Sequence, residues 1–194
     1  IYHGELRSLS LQKKLTRANG LLSKVRHYVE ASTLKTIYYG LFHSHMAYAC
    51  LIWGLGGTSE FSRICKLQKQ AVRLITFSDY NAPSLGLFSQ LEILRLEDLI
   101  KLNLCLFMHE WHNHKLPISF DKFFRYRCSN VGTRSSDEYR LSLPTKCTEK
   151  YGSNNIKYIG AALFNQQQEL LLKFPHKKHA FKKEFSTLLL AAYT

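Results

Sequence analysis

Over residues 9–29 the apolar positions return at helical intervals: Leu11, Leu15, Ala18, Leu22, Val25 and Val29. At about 100° per residue they share one face, and Lys13, Arg17 and Lys24 fall almost opposite, in a narrow arc. The pattern predicts an amphipathic helix over 9–29. Its weak point is Asn19-Gly20, since glycine costs about 1 kcal/mol relative to alanine inside a helix. A second helix is expected over 33–52, capped by Ser32, with Leu34, Ile37, Tyr38, Leu41, Tyr48 and Ile52 at helical spacing. Trp53 closes it, and Gly54, Gly56 and Gly57 break the chain. A third helix, over 60–77, sets Phe61, Ile64, Leu67, Ala71, Leu74 and Ile75 on one side and Arg63, Lys66 and Arg73 on the other.

Beyond a polar loop at 78–84, a short helix is expected over 85–91 and a longer one over 96–111. The longer one is apolar nearly all round, as a central buried helix would be, and Pro117 marks its exit. Residues 118–160 change character. RYRCSNVGTRSS reads as a basic loop, and 156–159 as a short extended piece. A last helix over 176–193 places Phe181, Phe185, Leu188 and Ala192 together, with Lys177, Lys178, Lys182 and Lys183 at the edge. No internal repeat or long heptad run appears.

Composition sharpens this picture. In 194 residues, 45% hydrophobic and 13% aromatic content supports a core and excludes a disordered tail. The 27 basic residues outnumber the 14 acidic ones for a net charge of +13, and a globular chain this basic meets a polyanion, nucleic acid first. The charge is concentrated: residues 6–78 hold eleven Lys and Arg but only Glu30 and Glu60. Residues 36–59 carry no formal charge, yet Gly40, His43, Ser44 and His45 interrupt the apolar run. A buried helix of a water-exposed domain is expected there, with no membrane partner. Five scattered cysteines, Cys50, Cys65, Cys105, Cys128 and Cys147, read as reduced thiols of an intracellular protein of nucleus or cytoplasm. Both methionines are internal, and a piece of a longer polypeptide is the expectation.

Phosphodiester chemistry needs carboxylates converging on metal ions. Asp79, Asp98, Asp121 and Asp137 are all separated, and Glu97-Asp98 at a helix start suits the helix dipole. No catalytic residue is assigned. Cys105, His109 and His112 share a helical face, with Cys128 available as a fourth zinc ligand. Structural zinc sites show paired short spacings, so no metal or other cofactor is assigned. His43 and His45 read as partly buried histidines. The basic residues carry the functional signal. Lys13, Lys14, Arg17, Lys24, Arg26, Arg63, Lys66 and Arg73 form the candidate phosphate-contacting set, because a face serving only solubility usually mixes both signs.

Together these segments resemble a known family. KKLTRANGLLSKVRHYV, TIYYGLFHSHMAYACLIWG and KLQKQAVRLITF are similar to the region after the palm in LINE-type (non-LTR, jockey-like) retrotransposon reverse transcriptases. The likeness continues in order through LFSQLEILRLEDLIKLNLCLFMHEWHNHKLP, GTRSS, YGSNNIKYIGAALFN and the closing FKKEF, covering about residues 11–190. The resemblance implies a thumb and post-thumb region that grips a template–primer duplex. It implies RNA-directed DNA synthesis for the parent polyprotein, with Mg²⁺ held by a palm that this chain does not include. Departures from the family pattern are local: proline is usual where Glu30 or Ala31 stands, glycine where Ala49 stands and tryptophan where Phe164 stands. Leucine-proline is usual where Gln166-Gln167-Gln168 stand.

The expectation is therefore a mostly α chain. A compact helical, thumb-like bundle spans 1–116, and a less regular basic C-terminal part spans 117–194. The expected function is sequence-independent phosphate contact with an RNA–DNA duplex or DNA, with the missing palm as a second partner. The alternative is a non-enzymatic interaction scaffold that docks the palm through the uncharged 37–53 stretch.

Overall fold

The computed structural model describes residues 2–55, 59–127, 140–145 and 155–193. Cys128, Cys147 and the GTRSS stretch lie outside the described residues. The chain is mostly α-helical, as the hydrophobic periodicity requires. It divides into two compact units, Ile1–Ile100 with Thr187–Thr194, and Lys101–Ser186.

In the first unit, α1 (Tyr2–Val25) packs against α5 (Ser59–Ile75). Leu15, Ala18 and Leu22 of α1 are buried with Ile64, Ala71, Val72 and Ile75 of α5, so the apolar stripes of both helices face the core as their spacing predicts. α1 starts before residue 9 and ends four residues short of the expected 29. Asn19, beside Gly20, is buried, and its Nδ2 donates to the Leu67 carbonyl at 3.0 Å and to Gln70 Oε1 at 3.2 Å, tying α1 to α5. α6 (Ser84–Leu91) buries Phe88, and α7 (Leu96–His112) begins in this unit. Both match the expected helices to within one residue.

The expected single helix over 33–52 is broken up. α2 (Ala31–Ile37) leads into a π-helical stretch, Tyr38–His43, followed by α3 (Ser44–Ala47) and, after a kink, α4 (Cys50–Trp53). The cap is Glu30, whose side chain makes no capping bond, and not Ser32. The buried stripe is Leu34, Tyr38, Phe42, Met46 and Cys50, four residues apart each time. In a pure α-helix every four-residue step rotates onward by about 40°, which carries such a series off the core. The wider π turn takes back part of that rotation and keeps the series facing inward. Leu41, Tyr48 and Ile52, expected on the apolar face, lie off this series and are exposed. The break is made by two residues, Tyr48, extended at φ −62°, ψ 120°, and Ala49, in the left-handed region at φ 52°, ψ 27°.

The second unit takes the remainder of α7, a 3₁₀ turn (Ile118–Phe123), α8 (Ile156–Gln166), α9 (Gln168–Lys173) and most of α10 (Lys178–Ala191). Residues 156–159 are helical, not extended. Asn155 Oδ1 accepts from the Lys157 N–H at 3.0 Å and starts α8, which then buries Gly160, Ala161 and Phe164. Gly160 is closely packed: a Cβ there would lie 3.0 Å from Met108 Sδ and 3.2 Å from the Phe124 ring, so these side chains would have to give by a few tenths of an ångström. Trp111 meets the edges of Phe124 and Phe164 at 5.1 and 6.4 Å between centroids. Phe181 and Phe185 of α10 share a buried face as expected, their rings stacked at 5.9 Å, whereas Leu188 and, just past the helix, Ala192 are exposed. An antiparallel bridge joins Tyr126 to Leu141, and Asn165 clasps both backbone groups of Leu141 at 2.8 and 3.0 Å.

Candidate nucleic-acid interface

The exposed side of the α1–α5 pair carries a groove of about 610 Å³. Gln12 and Thr16 form its α1 wall, Arg63, Lys66, Lys69, Gln70 and Arg73 its α5 wall, and Tyr80 and Asn81 close one end. Helical geometry places them there: residues three and four apart on α5 share one strip, and the opposite strip of the same helix is in the core. Four of the groove's lining residues are cations and none is a carboxylate. Positive potential in such a concavity is unopposed and draws in anions.

The predicted cations fall into four places. Arg63, Lys66 and Arg73 lie together in the groove, and Arg73 is anchored because its Nε donates to the Ala82 carbonyl at 2.9 Å. Lys13, Arg17 and Lys24 are exposed on the outer arc of α1 and do not line the groove. Lys14 is exposed toward a different hollow, beside Tyr48 and Trp53. Arg26 is half-buried, its guanidinium 4.9 Å from the Phe77 ring centroid, a packed cation–π contact. Lys13, Lys14, Arg17, Lys24, Arg63, Lys66 and Lys69 form no ion pair among the described residues. Lys69 belongs to the groove and is absent from the sequence-derived set, although its position three residues after Lys66 puts it on the same strip.

The Cys105–His109–His112 face is otherwise engaged. His109 is buried, with Nε2 bonded to the Phe174 carbonyl at 2.8 Å and its ring stacked 5.1 Å over Phe181. His112 Nδ1 meets the Tyr126 hydroxyl at 2.7 Å. Burial pushes the Cys105 thiol up to about 12, which favours its protonated form. Among the described residues no group of His, Cys, Asp and Glu is placed to hold a metal ion, and no helix is long and apolar enough to cross a membrane.

The chain matches no protein-family model, no curated protein and no solved structure.

Proposed function

We propose that the chain is the nucleic-acid-binding thumb and C-terminal region of a LINE-like reverse transcriptase, holding an RNA–DNA template–primer duplex or target DNA by its phosphates. The observation that carries this reading is the carboxylate-free groove with Arg63, Lys66, Lys69 and Arg73, bordered by a helix whose outer arc adds Lys13, Arg17 and Lys24. Each lysine or arginine set against a phosphate displaces condensed counterions, a gain that is independent of base sequence. In this reading the parent polyprotein is the RNA-directed DNA polymerase. Its palm holds Mg²⁺ and does the chemistry, and this chain supplies grip.

The test is a salt titration of duplex binding by fluorescence anisotropy on two triple variants. One replaces Arg63, Lys66 and Lys69 with glutamine, and the other replaces Lys13, Arg17 and Lys24. Each phosphate contact removed flattens the log–log salt slope by about 0.9 on B-DNA. The groove variant is expected to lose affinity on duplexes of any sequence and to flatten the slope. Wild-type affinity and slope in both variants would refute the reading and favour the scaffold, in which the charge serves solubility.

A further inference from the structure

A second hollow, of about 320 Å³, opens on a different flank of α1. Leu11, Tyr48, Ile52 and Trp53 form its apolar walls, and Lys14 and His45 sit among them. Two of these residues are exposed far beyond what their chemistry favours: Tyr48 is 80% and Ile52 71% exposed. Their placement follows from the backbone. α3 is capped by Tyr48, whose own backbone is extended, and left-handed Ala49 then opens α4, so Tyr48 stands off the buried stripe between Met46 and Cys50. A non-glycine residue held at positive φ is strained, and such strain persists where the surrounding structure imposes it. The indole of Trp53 is fixed as well, its Nε1 donating to the Tyr48 carbonyl at 3.1 Å. None of the hollow's lining residues is a carboxylate, and Lys14 makes no ion pair among the described residues.

We propose that this hollow receives one unpaired base of a single-stranded nucleic acid, stacked on Tyr48, with the adjoining phosphate drawn to Lys14. The proposal rests on the nucleic-acid reading above and adds a second, strand-specific site to it. Three properties select this occupant over a purely apolar one. The walls pair a planar aromatic face with aliphatic edges, which suits the π-face of any base. The charge is positive and unopposed. The volume is at the lower end of that of small-ligand sites, sized for one ring system and not for a helix. A paired duplex keeps its bases inside the stack, so only unpaired nucleotides use the hollow.

The test uses two fluorescein-labelled probes, a short oligothymidylate and a fully paired DNA duplex, with the wild-type chain, Tyr48→Ala, Tyr48→Phe and Lys14→Gln. Tyr48→Ala is expected to weaken oligothymidylate binding about tenfold or more, with Tyr48→Phe at the wild-type value, because the stacking face and not the hydroxyl makes the contact. Lys14→Gln is expected to flatten the oligothymidylate salt slope by about 0.7. Duplex affinity stays the same in both Tyr48 variants. Thermal melts accompany each variant, and the exposure of Tyr48 predicts unchanged folding. Wild-type oligothymidylate binding by Tyr48→Ala, or an equal loss on both probes, overturns the base site. If the groove variants still lose duplex affinity, the nucleic-acid reading survives that failure. Absence of binding to either probe by the wild-type chain overturns both.

Discussion

The hydroxyl of Tyr193 donates to Oδ2 of Asp98 across 2.6 Å, joining residues ninety-five positions apart in the buried interior of the first unit. The same phenolic oxygen accepts the Arg95 N–H at 3.0 Å, and the Arg95 guanidinium lies 4.8 Å from the ring centroid while its Nη2 reaches Asp98 at 3.0 Å. A buried carboxylate is tolerated only when its charge is met by donors, and here a phenol and a guanidinium meet it. Burial, then the bond to Asp98, pushes the Tyr193 phenol up to about 12. Glu97-Asp98 is therefore more than a pair of charges at a helix start.

Tyr193→Phe keeps the ring and removes the donor. Hydrogen bonds to charged groups contribute about 1.5–3 kcal/mol, so a loss of about 2 kcal/mol in unfolding free energy is expected from urea denaturation. Glu97→Gln, at an exposed neighbouring position, is expected to change stability by less than about 0.5 kcal/mol. Equal effects of the two changes would show that Tyr193 contributes packing alone.

Gln68 makes an analogous junction on α5. It is 1% exposed, its Nε2 donates to the Leu94 carbonyl at 2.9 Å and to the Tyr38 hydroxyl at 3.1 Å, and its Oε1 accepts the Leu96 N–H at 2.8 Å. One amide thus links α5, the π-helical stretch and the first turn of α7. Gln68→Met preserves volume but orphans two backbone groups, and each buried unsatisfied group costs about 1–3 kcal/mol. Calorimetry is expected to show a loss of about 2–4 kcal/mol, the larger of the single-residue effects predicted here.

Periodicity made α1 and α5 readable from the sequence, because each buries a stripe of apolar residues at 3.6-residue spacing, and α7 was readable because it is apolar nearly all round and buried to match. It failed over 31–53, where the stripe recurs every fourth residue and a π turn absorbs the difference. It also passes over Asn19 and Gln68, since a count of apolar positions assigns polar side chains to the surface. The outer arc of Lys13, Arg17 and Lys24 was legible for the same reason as the core opposite it. The groove was only partly so. Arg63, Lys66 and Arg73 mark its strip, but Tyr80 and Asn81 reach it through a loop whose path no spacing rule gives. The hollow beside Tyr48 lies at a kink set by the backbone of Tyr48 and Ala49, which leaves no trace in hydrophobic patterning.

Backbone geometry predicts opposite results at three small residues. Ala49 stands at φ 52°, where a Cβ costs about 1–2 kcal/mol. Ala49→Gly relieves that strain against a smaller loss from the freer unfolded chain, and a gain of about 0.5–1 kcal/mol is expected. Gly20 lies in α1 with nothing within 4 Å of an added Cβ, so Gly20→Ala is expected to stabilise by up to about 1 kcal/mol. Gly54 has no such room: an added Cβ would collide with Ile100 Cδ1 and approach the Cys50 carbonyl oxygen to 2.6 Å. Gly54→Ala is expected to destabilise by about 1–3 kcal/mol. Melting temperatures in the order Gly20→Ala and Ala49→Gly above wild type, with Gly54→Ala below it, check all three positions.

His112 gives the second unit a dependence on mildly acidic pH. It is half-buried, with Nδ1 at 2.7 Å from the Tyr126 hydroxyl. Burial, then the neighbouring imidazoles of His109, His114 and His176, lowers its pKa below the ordinary 6.5. A base with a depressed folded-state pKa binds fewer protons folded than unfolded in the interval between the two values. Its contribution to stability is therefore complete above pH 6.5 and is lost as the pH falls through the folded-state value. His112→Gln removes the titration and keeps a polar group opposite Tyr126. Between pH 7 and about pH 5 the wild-type melting temperature is expected to fall more than that of the variant, with the two curves running parallel above pH 7. Parallel curves across the whole range would show that His112 titrates alike in the folded and unfolded chains, and that its neighbours do not oppose its protonation.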